Sequence, residues 1–262
     1  MRAANAGTGS IKPQSTTLDD ERIRPDGPDR VSYHHHLARY QFALGRMKGG
    51  ERVLDAGCGT GYGSRLLFKK AASVVGIDLS PLAIQYAREH YEGPGVTFAQ
   101  MDCQRLAFPN AEFDLLICFE VFEHMEDQDG FLRECLRVLR PEGTLILSTP
   151  NASTAEVHMR SIGQTNPFHI GMLDLPAFRH ALGRRFGRVD VYGQRRRGSR
   201  FYSLLRTLDV FNLRLRLLPN ARRENLQRTF QVAVGEAAVP EEWVIEKAQL
   251  RQANQFVAVC RS

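Results

Sequence analysis

The chain has 262 residues, of which 43% are hydrophobic and 24% charged, so it can bury one substantial core. This composition excludes a disordered tail, a collagen-like repeat and a small disulfide-stapled domain. The longest apolar runs, such as Leu115 to Phe119, are far shorter than the roughly 20 residues that span a bilayer. There is no apolar core of a secretory signal, and the cysteines are odd in number. We therefore predict a reduced, cytoplasmic protein.

The net charge of +6 is unevenly distributed. Residues 179–228 contain fourteen arginines and three acidic residues, a local charge of +11, and the rest of the chain carries −5. Such a segment attracts nucleic acid, anionic lipid or a phosphorylated substrate, or it is a solvated helix face. Charge alone leaves both interpretations open.

The chain begins with a polar segment and then becomes helical. Residues 1–30 are rich in Gly, Pro, Ser, Asp and Arg, which predicts a flexible leader. Residues 31–262 are predicted to form a single domain. Its first element is a cap helix over 31–48, because apolar and aromatic residues recur there at helical spacing before Gly49.

Strand and helix patterns then alternate. The predicted strands are Arg52–Ala56, Ser73–Ile77, Val96–Gln100, Phe113–Phe119 and Gly143–Thr149. Helical patterns separate them, and one helix has Ser80 as its N-cap and Pro81 at its first position. The alternation predicts an α/β fold of the Rossmann-like kind, a three-layer sandwich with a mostly parallel sheet.

The last third of the sequence is interrupted. Asp174 is a predicted N-cap for a helix that ends near Leu182, and strands are predicted at Arg188–Tyr192 and Phe256–Cys260. Between these two strands lies a basic segment with amphipathic helical spacing. We interpret it as a helical insertion over about residues 195–250, placed before the last strand.

A glycine-rich turn follows the first strand. It reads Asp55-Ala56-Gly57-Cys58-Gly59-Thr60-Gly61, and such a turn lets a ligand approach the backbone at a helix N-terminus. A dinucleotide pattern that began at Gly57 would need a third glycine where Tyr62 stands. The sequence thus predicts a small-molecule site and disfavours a paired-phosphate coenzyme.

Two acidic residues follow the next strands. Asp78 lies 21 residues after Gly57, the spacing of an acid that binds an adenosine ribose, although it can instead cap the next helix. Asp102 and Cys103 follow the third strand, where a carboxylate and a backbone N–H suit an adenine edge. Asp102 can equally be an ordinary turn residue.

Five strings in this order resemble class I S-adenosylmethionine-dependent methyltransferases, in particular type 11-like bacterial enzymes that O-methylate small molecules and saccharides. They are VLDAGCGTGYGS, VVGIDLS, MDCQRLAF, FDLLICFEVFEHMED and LRVLRPEGTLILSTPN. The resemblance covers roughly residues 52–151. It implies a seven-stranded sheet in the order 3-2-1-4-5-7-6 with an antiparallel last strand. It also implies S-adenosylmethionine as cofactor and S-adenosylhomocysteine as product.

The resemblance also implies which residues bind this cofactor. Asp55 and the glycines of the turn would hold the methionine part, Asp78 the ribose, and Asp102 with Cys103 the adenine. The carbonyl of Phe119 would face the ammonium group. Separately from the resemblance, Tyr33, Arg39 and Tyr40 of the cap helix are interpreted either as part of a lid over the cofactor or as ordinary packing residues. The full set of predicted cofactor-binding residues is Tyr33, Asp55, Gly57, Cys58, Gly59, Gly61, Asp78, Leu79, Asp102, Cys103 and Phe119.

Two histidines are candidate catalytic bases. His124 lies just beyond the fourth strand, and His169 lies in a segment after the fifth. Either would accept a proton from a hydroxyl acceptor, or would only support its loop. No metal site is predicted, because the side chains of His34, His35 and His36 do not share a helix face.

The acceptor predicted from this resemblance is a hydroxyl of a small molecule: a sugar, a polysaccharide precursor or a secondary metabolite. It would be nucleotide-linked if Arg195, Arg196, Arg197 and Arg200 hold its phosphates. One alternative is an RNA or protein methyltransferase that docks through the basic insertion. A second is a non-catalytic scaffold that binds the cofactor. Nucleic-acid bases are disfavoured, because no cysteine follows a proline and no Asn/Asp-Pro-Pro-aromatic run follows the fourth strand.

Overall fold

The computed structural model describes residues 23–27, 29–155, 171–196 and 243–261. Its longer helices are α1 (Arg30–Leu44), α2 (Tyr62–Leu67), α3 (Pro81–Tyr91), α4 (Gln128–Val138) and α5 (Leu175–Gly183). Its strands are β1 (Arg52–Ala56), β2 (Ser73–Asp78), β3 (Val96–Gln100), β4 (Phe113–Phe119), β5 (Leu139–Pro150), β6 (Arg188–Arg196), β7 (Trp243–Glu246) and β8 (Gln255–Arg261).

All these strands form one sheet in the order β3-β2-β1-β4-β5-β8-β6-β7. The five strands from β3 to β5 are parallel, and β8 lies antiparallel between β5 and β6. The Rossmann-like class and the antiparallel last strand are confirmed. The predicted order 3-2-1-4-5-7-6 is reproduced when β8 is counted as the seventh strand.

The difference from the predicted sheet is one additional strand at its edge. The strand β7 pairs antiparallel with β6 through residues 243–246, within the segment of about 195–250 that was predicted as a helical insertion. Trp243, Val244 and Ile245 are consecutive aromatic and β-branched residues, which favour a strand. Residues 197–242 of that segment lie outside the described part of the chain.

The strand β5 also begins earlier than its predicted start at Gly143. It includes residues 140–143, whose sequence Arg-Pro-Glu-Gly is typical of a turn. The pairing with β4 jumps from Phe113–Leu139 to Leu115–Thr144, and Glu142 has a left-handed φ of 63°. The turn is therefore a bulge within the strand, a feature that interrupts pairing without ending the strand.

Helices cover both faces of the sheet. Successive residues of β1 point to opposite faces: Val53 packs with Tyr40 and Leu67 of α1 and α2, whereas Leu54 packs with α4 and α5 through Leu132 and Phe178. The same alternation continues in β4. Every strand at the centre is thus buried on both sides, as a parallel sheet requires.

The helix ends show why the sequence forms these elements. The Ser80 hydroxyl accepts a hydrogen bond from the Ala83 N–H, and Pro81 stands at the start of α3. The Asp174 carboxylate accepts from the Ala177 N–H at the start of α5. Both predicted N-caps are confirmed. The cap helix α1 ends at Leu44, four residues before the predicted end.

Among the residues that the structure describes, the helices are too short or too polar to span a membrane. All five cysteines are buried and free.

Candidate functional site

The carboxyl ends of β1 and β2 are joined by backbone hydrogen bonds. The N–H groups of Gly57 and Cys58 donate to the Ile77 carbonyl at 2.8 and 2.9 Å. The next N–H, of Gly59, donates to Oδ2 of Asp78 at 2.9 Å. The glycine loop, residues 57–61, is therefore held against the end of β2, where ligands bind in open α/β sheets.

Two glycines of this loop have different surroundings. At Gly57 the backbone is left-handed, with φ 81°, and a Cβ would lie 2.3 Å from the Cγ2 of Val121. At Gly59 φ is 54°, yet a Cβ would meet no atom of the described protein within 4 Å. Gly57 is thus required for packing, whereas Gly59 faces open space that a ligand can enter.

The Asp55 carboxylate lies beneath the loop and is fully buried. Its oxygens accept hydrogen bonds from the Ser64 hydroxyl at 2.6 Å and from the Tyr40 hydroxyl at 3.2 and 3.3 Å. Burial raises the pKa of Asp55 to about 7, because a charged carboxylate loses its hydration there. The side chain therefore joins β1 to both α1 and α2.

Asp78 is buried, and Leu79 beside it is exposed. One Asp78 oxygen accepts a hydrogen bond from the Gly59 N–H and the other from the Ser80 N–H, both at 2.9 Å. This carboxylate therefore connects the glycine loop to the start of α3. Leu79 is 66% exposed, compared with 38% for Leu82, the other exposed large apolar side chain among the described residues. The pair offers a carboxylate edge and an apolar surface side by side.

Asp102 and Cys103 follow β3 on the same side of the sheet. The Met101 N–H donates to the Asp78 carbonyl at 3.1 Å, which places Asp102 near the end of β2. Oδ1 of Asp102 accepts from the Gln104 N–H at 2.8 Å, the turn role that was the alternative interpretation. Burial raises the pKa of Cys103 to about 12, so its thiol stays protonated.

Polar side chains also gather after β4. Glu120 has a left-handed φ of 55°, and the Ser148 hydroxyl donates to its carboxylate at 2.6 Å. Glu123 is only 1% exposed, its Oε2 has no hydrogen-bond partner in the described protein, and burial raises its pKa well above the usual range. Nε2 of His124, which is 41% exposed, lies 4.0 Å from Oε1 of Glu123.

Arg39 extends from α1 toward this cluster and is completely buried. Its Nη1 donates to Oε1 of Gln194 at 2.8 Å and lies 3.9 Å from the Glu120 carboxylate. Its Nε and Nη2 have no partner in the described part of the chain. A buried guanidinium with unused N–H groups is costly unless an anion satisfies them.

The aromatic side chains at the rim belong to several elements. The Tyr33 ring lies 5.3 Å from the Tyr62 ring, and both line a cavity of about 560 Å³ together with Pro25 and Tyr91. The ring of Phe119 packs edge-on against Tyr40 at 5.1 Å. Tyr33 thus lies beside the glycine loop through Tyr62.

Some predicted residues fall outside this arrangement. His169, Arg197 and Arg200 lie outside the described residues. The Arg195 guanidinium is bonded to the Glu246 carboxylate of β7, so it is already paired. Within the described ranges no group of three or more potential metal ligands occurs. The ring of His35 lies 4.2 Å from the Trp243 ring, inside a packed contact.

Sequence reasoning underestimated three residues of the site. Arg39 was assigned only to a lid, and Glu120 and Glu123 were given no role. The available signal was their position, because side chains that directly follow a buried parallel strand meet at the ligand edge of the sheet. The burial of Arg39 had no such signal, since it depends on how α1 packs.

Comparison with known proteins identifies the part of the chain that carries this site. Residues 54–147 match the family model described as the methyltransferase domain. That stretch, just over a third of the chain, is therefore similar to a methyltransferase domain. This segment includes the glycine loop, Asp78 and the cluster after β4.

The similarity to two curated relatives covers more of the chain than the family match does. A probable S-adenosylmethionine-dependent methyltransferase of Mycobacterium tuberculosis is 37% identical over 166 residues, which cover 63% of this chain and 58% of that protein. A ubiquinone biosynthesis O-methyltransferase of Xanthomonas axonopodis is 34% identical over 142 residues, or 53% of this chain and 59% of that protein. The chain therefore spans under two thirds of the length of either relative.

A solved structure shares the fold. It is the complex between the Haloferax volcanii Trm112 methyltransferase activator and a methyltransferase. One of its chains superposes with a TM-score of 0.61 and 21% identity, covering 96% of this chain and 99% of that chain. Residues 54–147 and the elements around them thus share a known fold.

Proposed function

We propose that the protein is an S-adenosylmethionine-dependent methyltransferase that acts on a hydroxyl group of a small molecule. The observation that carries the proposal is the open space at Gly59, next to the Asp78 carboxylate that holds the loop. Similarity to a probable S-adenosylmethionine-dependent methyltransferase supports this choice of cofactor. Cofactor binding, activity and substrate are all parts of the proposal.

The residues at the site suit the chemical parts of this cofactor. Asp78, with carboxylate oxygens that only accept hydrogen bonds, suits ribose hydroxyls, and the exposed Leu79 suits an adenine face. Asp102 and Cys103 lie one strand further along, where an adenine edge would be. Tyr33 and Phe119 would border the same space from α1 and β4.

Arg39 suits the carboxylate of the methionine part. Its Nε and Nη2 are buried and unused, and a carboxylate can accept from both in one plane. Asp55 would act from beneath the loop, because its oxygens already bind Tyr40 and Ser64. We therefore assign Asp55 to positioning the loop and Arg39 to holding the anion.

The remaining requirement is to bring the acceptor to the methyl group. When bound, S-adenosylmethionine supplies an electrophilic methyl group on a sulfonium centre. The chain must hold a hydroxyl beside it without competing water, which in favourable cases contributes ~7–11 kcal/mol of barrier lowering. Polar groups at the carboxyl ends of β4 and β5 would hold such an acceptor, namely the partly exposed Glu120 and the buried Glu123 and Thr149.

A base that removes the hydroxyl proton would increase the rate further. The His124 side chain is 41% exposed and lies at the end of a short 3-10 helix that follows β4, so it is open to solvent beside the proposed acceptor site. Glu123 is the weaker candidate, because burial raises its pKa well above the usual range and so favours the protonated form, which cannot accept a proton. His169 remains a second candidate from the sequence alone.

The O-methylation of a small molecule is supported by likeness to the ubiquinone biosynthesis O-methyltransferase at 34% identity. The test is incubation with methyl-labelled S-adenosylmethionine and separated small-molecule, RNA and protein fractions of the source cells. We expect label in the small-molecule fraction. Label confined to RNA or protein would favour docking through the basic segment, and cofactor binding without any label would favour a scaffold.

A further inference from the structure

The chain preceding α1 lies against the glycine loop. We call residues 23–27 the strap, and its first residue, Ile23, contacts Thr60 between Gly59 and Gly61. The Thr60 side chain is 1% exposed, and its hydroxyl donates to the Ile23 carbonyl at 2.7 Å. A buried hydroxyl without this bond would leave a polar group unsatisfied. The strap therefore belongs to the packing of the loop.

The strap also contacts α3 and α1. The guanidinium carbon of Arg24 lies 5.8 Å from the centre of the Tyr86 ring, within the range of a cation–π interaction. The Gly27 N–H donates to the Arg24 carbonyl at 3.2 Å, which closes a turn. Arg30 of α1 donates to the Pro25 carbonyl. The strap, residues 23–27, is thus held by the glycine loop, α3 and α1.

We propose that docking of the strap and binding of the cofactor stabilise each other, with Thr60 as the positioning residue between them. The inference rests on the proposed function, because it takes the glycine loop as the cofactor site. It assigns residues 23–27 to that site, outside the matched segment 54–147.

The physical reason for this coupling is the conformational freedom of the glycine loop. Gly57, Gly59 and Gly61 all have left-handed φ angles, and glycine loses more conformational entropy on ordering than other residues. A hydrogen bond at Thr60 restrains this loop before the ligand arrives. If docking favours the binding conformation, then binding must favour docking by the same factor.

The contacts of Pro25 extend the strap over an aromatic surface. It lines the cavity of about 560 Å³ with Tyr33, Tyr62 and Tyr91. Tyr62 directly follows the last glycine of the loop. The strap, the glycine loop and the first turn of α2 thus form one packed unit. A substitution at Thr60 should therefore change the affinity for the ligand.

The experiment compares Thr60→Val, which removes the hydroxyl at nearly constant volume, with Thr60→Ser, which retains it. S-adenosylhomocysteine binding is measured by calorimetry on the full chain. We expect affinity to fall about fivefold or more in Thr60→Val and to stay near wild type in Thr60→Ser. Arg24→Ala, which changes no loop residue, should weaken binding in the same direction. Thr97→Val on the exposed side of β3 is the matched control.

Hydrogen exchange of the peptide that contains residues 23–27 provides the reciprocal measurement. S-adenosylhomocysteine should slow this exchange in the wild type and have less effect in Thr60→Val. The proposal is overturned by unchanged affinity in Thr60→Val, by equal losses in the valine and serine variants, or by a ligand-independent exchange rate. If the wild type does not bind S-adenosylhomocysteine, the proposed function is contradicted instead. The docking of the strap is then tested without ligand: equal hydrogen exchange of residues 23–27 in the wild type and in Thr60→Val would show that the Thr60 hydrogen bond does not hold the strap.

Discussion

The Asp55 carboxyl group makes stability depend on pH. Its folded pKa of about 7 lies above that of an exposed carboxyl, so the folded state binds the proton more tightly than the unfolded state. The contribution of Asp55 to the unfolding free energy therefore falls as pH rises from about 4 to about 7, and it is constant above pH 7. Asn at this position cannot ionise and removes this dependence.

We predict that the unfolding free energy of the wild type, relative to Asp55→Asn, falls by about 2–3 kcal/mol between pH 5 and pH 8. Urea unfolding of both proteins at the two pH values measures it. Taking the difference cancels the other titrating groups, which the two proteins share. A difference that stays constant or grows with pH would contradict the raised pKa.

Arg39 is predicted to recognise the amino-acid end of the cofactor. Replacing a buried guanidinium that binds a carboxylate costs about 1.5–3 kcal/mol, or roughly tenfold to hundredfold in affinity. We expect this loss in Arg39→Ala with S-adenosylhomocysteine, measured by calorimetry. Methylthioadenosine, which lacks the amino-acid part, is the control ligand. An equal loss for both ligands would show that Arg39 only supports the fold.

His124 is predicted to act in catalysis and not in cofactor binding. His124→Ala should lower turnover by about 10²-fold or more and leave S-adenosylhomocysteine affinity unchanged, because no predicted cofactor contact is removed. His180→Ala on the exposed side of α5 is the matched histidine control. Wild-type turnover in His124→Ala would remove this residue from the role of base.

At the scale of elements, the contact between α1 and α2 depends on one glycine. A Cβ at Gly63 would lie 2.0 Å from Cζ of Tyr40, and the Tyr40 hydroxyl donates to Asp55. Gly63→Ala should therefore push α1 away from α2 and lower the unfolding free energy by about 1–3 kcal/mol. Gly183→Ala is the control, because a Cβ there meets nothing within 4 Å.

Denaturant unfolding of both glycine variants measures the difference. A neutral Gly63→Ala would mean that α1 moves without cost, and the contact between Tyr40 and Asp55 would then be unimportant for stability. Cofactor affinity measured on the same variants reports whether the position of α1 also determines the binding site.

Local patterns determined several elements well. The strands β1, β3 and β4 have the predicted bounds, because buried parallel strands are short apolar runs between turn residues. The additional strand β7 was missed, because its four residues gain their partners only from β6, 47 residues or more away in the sequence. The local pattern of Trp243, Val244 and Ile245 favours a strand, but it does not show which strand they pair with.

At the scale of the whole molecule, ligand binding should stabilise the fold. S-adenosylhomocysteine at 100 times its dissociation constant should raise the unfolding free energy by about 2.7 kcal/mol. NAD at the same concentration should not, because Tyr62 stands where a dinucleotide loop needs its third glycine. Thermal unfolding with each ligand measures this. Stabilisation by NAD alone would contradict the proposed cofactor.

The sequence by itself determined the chain order of strands and helices, the glycine loop and the acid at the end of the second strand. It did so because side chains at the carboxyl ends of adjacent parallel strands must meet. Only the tertiary structure decided what surrounds them. Arg39 meets Glu120 and Ile23 meets Thr60 through the packing of α1 and the chain before it, and burial then determines the ionisation of Asp55 and Glu123. These properties depend on distances across the fold and on exclusion of water, which no local pattern records.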